Sequence, residues 1–416
     1  MKTARVILLL LLIASTDGAD AQSVIEELDN ALTFAAFDGS CRVRLSGLVD
    51  LEAYHLEGPA PSLIYTDHHD LFNPRLTLNL DAQLGSHIYA FAESRVDRGF
   101  DPSDSEGRMR LDEWAVRATP WDDGRFNFQV GKFSTVVGNW ASRSDSWQNP
   151  FITAPLPYEN PTPVWYTEAP DGPYDLLGWG HANSTDSPQS IYAGKEKRMP
   201  IIWGPSYATG ASIFGSLGKF DYAVELKNSA LSSPPQAWEI TEVGFQHPTY
   251  SGRLDWRPSE MWTLGVSGST GAYLLPSAGP TLAPGYGFSD YREILLGQDI
   301  RYAWHHFQFW AEFFEVRFEI PEIGNADTFA YYLEGRYQIT PQLFGALRWN
   351  QQLYGTILDD DGYPAHWGRD AWRIDVAIGY RFSEYTQLKL QYSLLEERPA
   401  QNRFNNLLAA QFTLRF

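Results

Sequence analysis

The chain is 416 residues long and carries 51 acidic against 32 basic side chains, a formal net charge of -19. So strong an acidic balance excludes nucleic acid as a partner, which calls for a basic face. Cys41 is the only cysteine, so no intramolecular disulfide can form, and aromatic residues reach 15% of the chain, unusual for an acidic soluble enzyme.

At the start, Lys2 and Arg5 precede an apolar run from Val6 to Ala14, and Ala19-Asp20-Ala21 offers a small-x-small cleavage site. That order of charged, apolar and small residues marks 1–21 as a secretory signal peptide. The run is too short for a membrane anchor, and no later stretch approaches the roughly twenty apolar residues of a membrane helix. Any membrane insertion must therefore use strands. Residues 22–40 read as a periplasmic lead-in, with Val24, Ile25, Leu28 and Leu32 at helical spacing within 23–37.

From 41 to 416 the pattern changes to a period of two. Leu76, Leu78, Leu80 and Leu84 share one face against Arg75, Thr77, Asn79, Asp81 and Gln83, and Trp372, Ile374, Val376, Ile378 and Tyr380 oppose Arg373, Asp375 and Arg381. Such segments recur at 42–54, 74–84, 87–97, 108–119, 125–134, 206–217, 219–229, 248–257, 261–273, 291–303, 306–317, 327–338, 342–353, 369–382, 386–396 and 405–416. Most have the length of a tilted transmembrane strand.

The connections alternate between short, such as 120–124, 258–260 and 339–342, and long: 55–73, 98–107, 135–205, 230–247, 274–290, 318–326, 354–368 and 397–404. Short periplasmic turns alternating with longer outer loops describe an up-and-down transmembrane β-barrel. The count is sixteen strands, or eighteen if 139–205 conceals two more. Trp114, Trp121, Trp256, Trp262, Tyr302, Trp304, Tyr337 and Phe382 fall beside the short turns, as an interfacial aromatic girdle does. A soluble β-sandwich also alternates strands and turns, but it has no reason to alternate loop length. The expected class is all-β, an antiparallel transmembrane barrel.

The signal peptide, the amphipathic strands and the terminal "QFTLRF" together resemble the outer-membrane porins of Gram-negative bacteria, over nearly the whole mature chain. "FNFQVGKFSTVVGNW" (126–140) looks like the segment leading into the third loop of phosphate- and carbohydrate-type porins. It has Val136-Val137-Gly138 where a proline and an aromatic are expected before the glycine, so the subfamily stays open. The resemblance implies that Phe412, Leu414 and Phe416 are read by the barrel-assembly machinery. It also implies a homotrimer, and a third loop (135–205) that folds inward to narrow a channel. An outward-folded cap is the alternative.

The third loop is rich in proline, which limits the entropy lost on fixing a loop. Its Asp145, Glu159, Glu168, Asp171 and Asp175 would bring negative charge to a constriction. Trp165, Tyr166, Trp179 and Trp203 would either stack on sugar rings or pack the loop's own core. By strand parity, Arg42, Arg44, Arg75, Arg95, Arg117, Arg125, Arg348, Arg373, Arg381 and Lys389 face the lumen. The resemblance suggests Arg44, Arg75, Arg95 and Arg117 for a basic wall opposite the loop, with Arg42 beside them, unless these arginines only pair with neighbouring acids.

No HExxH, cysteine pair or G-x-S-x-G is present, and "DDDG" (359–362) has no partner glutamate at calcium-loop spacing. No cofactor, metal or catalytic set is therefore expected. The expected activity is passive, cation-preferring diffusion of small hydrophilic solutes or ions through a barrel seated in outer-membrane lipid. The alternatives are a carbohydrate-selective channel or a plugged structural or adhesive barrel.

Overall fold

The computed structural model describes residues 32–57, 60–64, 66, 68–97, 108–181, 195–235, 245–397 and 405–416. Sixteen antiparallel strands close into a barrel. They are β1 (Cys41–Leu56), β2 (Asp70–Leu84), β3 (Ile88–Asp97), β4 (Arg108–Ala118), β5 (Asn127–Phe133), β6 (Ala208–Leu217), β7 (Phe220–Lys227) and β8 (Thr249–Ser259). Then follow β9 (Trp262–Ala272), β10 (Arg292–Trp304), β11 (Phe307–Ile320), β12 (Gly324–Gln338), β13 (Leu343–Tyr354), β14 (Ala371–Arg381), β15 (Thr386–Glu397) and β16 (Asn405–Arg415). β16 pairs back onto β1 from Leu407 opposite Leu56 to Arg415 opposite Leu48. Closure matters because a bilayer offers no hydrogen bonds to an open edge.

The period-two pattern takes its expected meaning. On β14, Val376, Ile378 and Tyr380 are exposed outside, while Arg373 and Asp375 are buried inside. On β7, Phe220 and Val224 point out and Glu225 and Lys227 point in. Trp121, Trp256, Trp262, Trp304, Tyr337 and Phe382 are exposed at the short-turn end, where amphipathic rings suit a membrane interface. Among the described residues, 139–205 adds no barrel strand. It contains the single turn α1 (Leu156–Glu159) and the helix α2 (Pro173–His181).

Three expectations need correction. Of the helix anticipated over 23–37, residues 23–31 lie outside the described part, as does the signal peptide, but Thr33–Ala36 is a strand paired with Cys41–Arg44. The reason is backbone accounting. β16 stops at Phe416 opposite Gly47, leaving the edge of β1 below it free, and Leu45 N–H donates to Leu32 O at 3.0 Å to continue the ladder. Second, the long loop expected at 318–326 is a turn of residues 321–323, because β11 and β12 extend to pair Ile320 with Gly324. Third, Arg125 sits exposed before β5, against Asp123 and Trp121, and does not enter the lumen.

β11 carries a pattern of its own. Phe307, Phe309 and Phe313 occupy its outer face, but beyond them Glu315 and Arg317 point out while Phe314, Val316, Phe318 and Ile320 are buried inside. The alternation persists with its polarity reversed, since this end of the lumen is filled with protein.

The seam between first and last strands is tight. Gly47 and Phe416 exchange backbone hydrogen bonds of 2.9 and 3.1 Å, and a Cβ on Gly47 would lie 2.7 Å from Phe416 Cζ and 2.6 Å from Thr77 O. Gly47→Val is therefore expected to cost about 1–3 kcal/mol through overpacking. A lowered urea midpoint for the refolded barrel would register it; an unchanged midpoint would show that the seam does not depend on this contact.

Candidate functional site

The third loop leaves β5 at Phe133 and returns at Ala208. Lys227 holds both stems, its Nζ donating to Phe133 O at 2.9 Å and Ser206 O at 3.4 Å beside Glu225. Gly138, at φ +73°, turns the chain into the barrel; a Cβ there would meet Glu312 Oε1 at 2.7 Å. The loop then reaches β11 on the far wall, where Glu312 accepts from the backbone N–H of Asn139, from Trp140 N–H at 3.1 Å and from Tyr158 O–H at 2.6 Å. Arg143 follows with a 2.5 Å ion pair to Glu334 of β12.

Cations of β13–β15 take the next stretch by its carbonyls. Lys389 Nζ donates to Ser146 O (2.8 Å), Asn149 O (3.0 Å) and Phe151 O (3.2 Å). Three N–H bonds thus meet three acceptors, which is how a buried ammonium avoids a large desolvation cost. Arg348 Nη2 donates to Thr153 O at 3.0 Å and Ala154 O at 3.1 Å, while its Nε donates to Asp375 at 2.8 Å. Arg373 donates to Ala154 O and pairs with Glu159 at 2.5 Å and Asp375 at 3.0 Å. Leu156 N–H, opening α1, donates to Asn350 Oδ1 at 3.1 Å.

Behind these anchors the loop has an apolar core. Val164, Tyr166, Leu176, Met199, Ile201 and Trp203 pack with Phe314, Val316 and Phe318 of β11 and Ala330 of β12. That fills the lumen on one side. Against the opposite wall remains a cavity of ≈ 170 Å³, lined by Arg75, Arg95, Asp97, Arg110 and Asp112 from the barrel and by Trp140, Ser146, Phe151, Tyr158, Glu159 and Trp203 from the loop.

The wall's charges are paired. Arg75 contacts Glu52 at 2.6 Å and Asp50 at 3.1 Å. Arg95 contacts Asp112 at 2.9 Å and Asp97 at 3.4 Å, and Arg110 contacts the same two acids at 3.4 and 3.3 Å. Toward the short turns lies a vestibule of ≈ 680 Å³ that includes Glu113, Arg117, Arg253, Asp255 and Arg301.

The closed barrel is an architecture met in solved structures. OmpF of Salmonella typhi, solved in complex with daunomycin, matches at a TM-score of 0.56 and 10% identity, over 92% of this chain and 100% of that one. The fold is that of the porins. An anion-selective porin from Comamonas acidovorans matches at TM-score 0.54 and 11% identity, over 90% of this chain and 100% of that one. The outer-membrane channel DcaP of Acinetobacter baumannii matches at 0.54 and 11%, over 92% and 100%. No protein-family model and no curated protein matches the sequence. At such identities the likeness concerns the fold alone.

Within this porin fold the anticipated site residues scatter. Of the loop positions, Glu159 borders the cavity, buried against Arg373. Asp145 instead caps its own turn, accepting from Trp147 and Gln148 N–H at 2.8 Å each. Burial pushes its carboxyl up from the ordinary range, opposed by those two donors. Glu168 meets Lys197 at 3.4 Å, and Asp175 accepts from Asp171 N–H at 3.2 Å at the start of α2. Trp165 and Trp179 stack on each other at 4.1 Å, and buried Tyr166 donates to Glu196 O. These rings belong to the loop's own core.

Of the wall arginines, Arg75 and Arg95 line the cavity and Arg117 lines the vestibule against Gln129. Arg42 and Arg44 are exposed at the short-turn end. Arg110 escaped the parity reading because the β3–β4 register shifts between Glu93 and Ser94. Asp112 is the extra residue, so Arg110 and Arg117 both face inward despite unlike parity. Phe412, Leu414 and Phe416 lie on β16 and its end, on the face opposite the buried Gln411 and Thr413.

Glu312 is the loop's first anchor on the far wall, and its removal strands three donors, a loss of about 3 kcal/mol or more. Glu312→Ala is expected to raise the rate of limited proteolysis within the loop at least about tenfold, while the barrel keeps its heat-modifiable migration. Glu312→Gln, which keeps an acceptor, should stay near wild type; equal sensitivity of the two variants would disprove the anchoring role.

Proposed function

We propose that this chain is a passive outer-membrane channel for small hydrophilic solutes and ions, with a preference for cations. The single observation that carries the reading is the inward third loop, pinned to one wall and leaving a cavity edged with charged side chains against the other. Selectivity then arises at close range from the charges facing that cavity. Around it, the lining guanidinium groups of Arg75, Arg95 and Arg110 are matched by the carboxylates of Asp97, Asp112 and Glu159, and Asp50 and Glu52 add two buried acids in contact with Arg75. The net charge of -19 adds the same sign at longer range. Glu159 and the rim of the third loop form the constriction.

The same reading carries its accessories. The mature chain starts near Gln22, the girdle sits in outer-membrane lipid, and the face of Phe412, Leu414 and Phe416 is presented to the barrel-assembly machinery. The working unit is a homotrimer, and no step of catalysis is involved.

Purified protein in planar bilayers with a KCl gradient provides the test. Discrete conductance steps are expected, with a reversal potential of cation sign; a folded barrel that passes no current would sink the proposal. Neutralising two wall acids together, Asp97→Asn with Asp112→Asn, should move the reversal potential toward anions. Lys389→Met should release part of the loop and raise the step size about twofold or more with added noise. Unchanged steps would mean that Lys389 does not set the aperture.

A further inference from the structure

We infer that the first outer loop is a latch over the outer end of the cavity, and that Lys195, on the returning limb of the third loop, is its catch. The inference rests on the channel reading above and adds a closed state to it. Its first support is where the loop lies. Ala60, Ser62, Leu63, Ile64 and Thr66 all belong to the connection between β1 and β2, yet each is more than nine-tenths buried. A simple outer connection would lie in water. Glu57 and His68 at its stems are exposed, so the loop starts and ends at the surface and dips inward between them. Ser62 Oγ accepts from Arg373 of β14 at 3.4 Å, past β15 and β16.

The second support is how the loop packs. Leu63 and Ile64, adjacent in the chain, turn to opposite sides. Leu63 joins the third loop's apolar core with Val164 and Trp203, while Ile64 packs with Tyr54 of β1, Leu71 of β2 and Leu407 of β16. Both residues border the cavity. The first loop thus bridges the space between the third loop and the wall.

The third is a clamp closed over a strained turn. Lys195 Nζ donates to Ala60 O at 2.8 Å and to Ile64 O at 2.7 Å, and the side chain is itself buried. Charge-assisted bonds of this kind are strong. Between the two clamped carbonyls Ser62 stands at φ +55°, the left-handed region, where its Cβ crowds the backbone. Such a conformation persists only while its surroundings impose it. Once Lys195 lets go, the turn relaxes out of that shape, and the freed carbonyls find water at the nearby surface.

Thiol labelling tests the latch directly. In a Cys41→Ser background, Ser62→Cys puts a near-isosteric thiol within the loop, and a membrane-impermeant maleimide reads its exposure on the refolded barrel. The reaction should be slow with Lys195 intact and about tenfold faster after Lys195→Met. Lys195→Arg, which keeps charged donors, should hold the slow rate, and heat-modifiable migration identifies the barrels that have folded. A thiol that reacts fast with Lys195 intact, or no faster after Lys195→Met, overturns the latch. In planar bilayers with KCl, Lys195→Met should raise the fraction of time spent at the highest conductance level about tenfold. An unchanged fraction overturns the latch while leaving the channel reading intact. Absence of current from both proteins overturns the channel reading instead, and the labelling rates then decide the latch alone.

Discussion

Lys389, Arg348 and Arg373 hold main-chain oxygens of the third loop, and the contents of the barrel are arranged around that contact. A loop inside a lumen loses water from its carbonyls and must find other donors. Charged donors are the strong ones. The side chains that supply them are themselves costly to bury, and the cost is offset only because each is fully engaged: Lys389 by three carbonyls, Arg348 and Arg373 by Asp375 on their other side. Loop and wall therefore depend on each other, and neither set of groups is satisfied alone.

This mutual satisfaction divides the lumen into two unlike halves. The β11–β15 side is a socket, polar where it meets backbone and apolar where Phe314, Val316 and Phe318 meet the loop's core. The β1–β4 side keeps its charges in pairs among its own strands and leaves open space beside them. Basic residues that look equivalent along the sequence thus do different things. Those of the late strands hold the loop in place, while Arg75, Arg95 and Arg110 face the cavity. Lys227, at the root of the loop, clasps both its stems.

Strand content was legible because lipid enforces it. Outward positions such as Val376 and Ile378 must be apolar and inward ones such as Arg373 need not be, so a period of two survives in plain sight. Legibility failed wherever something other than lipid set the environment. At Glu315 to Ile320 the alternation reversed because the loop core, not the bilayer, is the apolar partner. At Asp112 a bulge broke parity and brought Arg110 inward. At Thr33–Ala36 a free strand edge drew the end of the expected helical segment into a ladder. Residue type alone points to the loop acids, yet Asp145, Glu168 and Asp175 serve nearby turns and ion pairs, while the anchor Glu312 sits within a strand pattern that gives no sign of its role.

The sequence by itself determined an antiparallel barrel of amphipathic strands and its short-turn end, since these follow from neighbour-to-neighbour pairing and from the contrast between lipid and lumen, while the choice of sixteen strands over eighteen needed the structure. Which lumenal charges face open space, which are consumed by the loop, and where the cavity lies were decided only by the tertiary structure. Partners such as Glu312 and Asn139, or Lys389 and Ser146, are separated by well over a hundred residues, and local periodicity carries no information about which side chain closes on which backbone across the barrel.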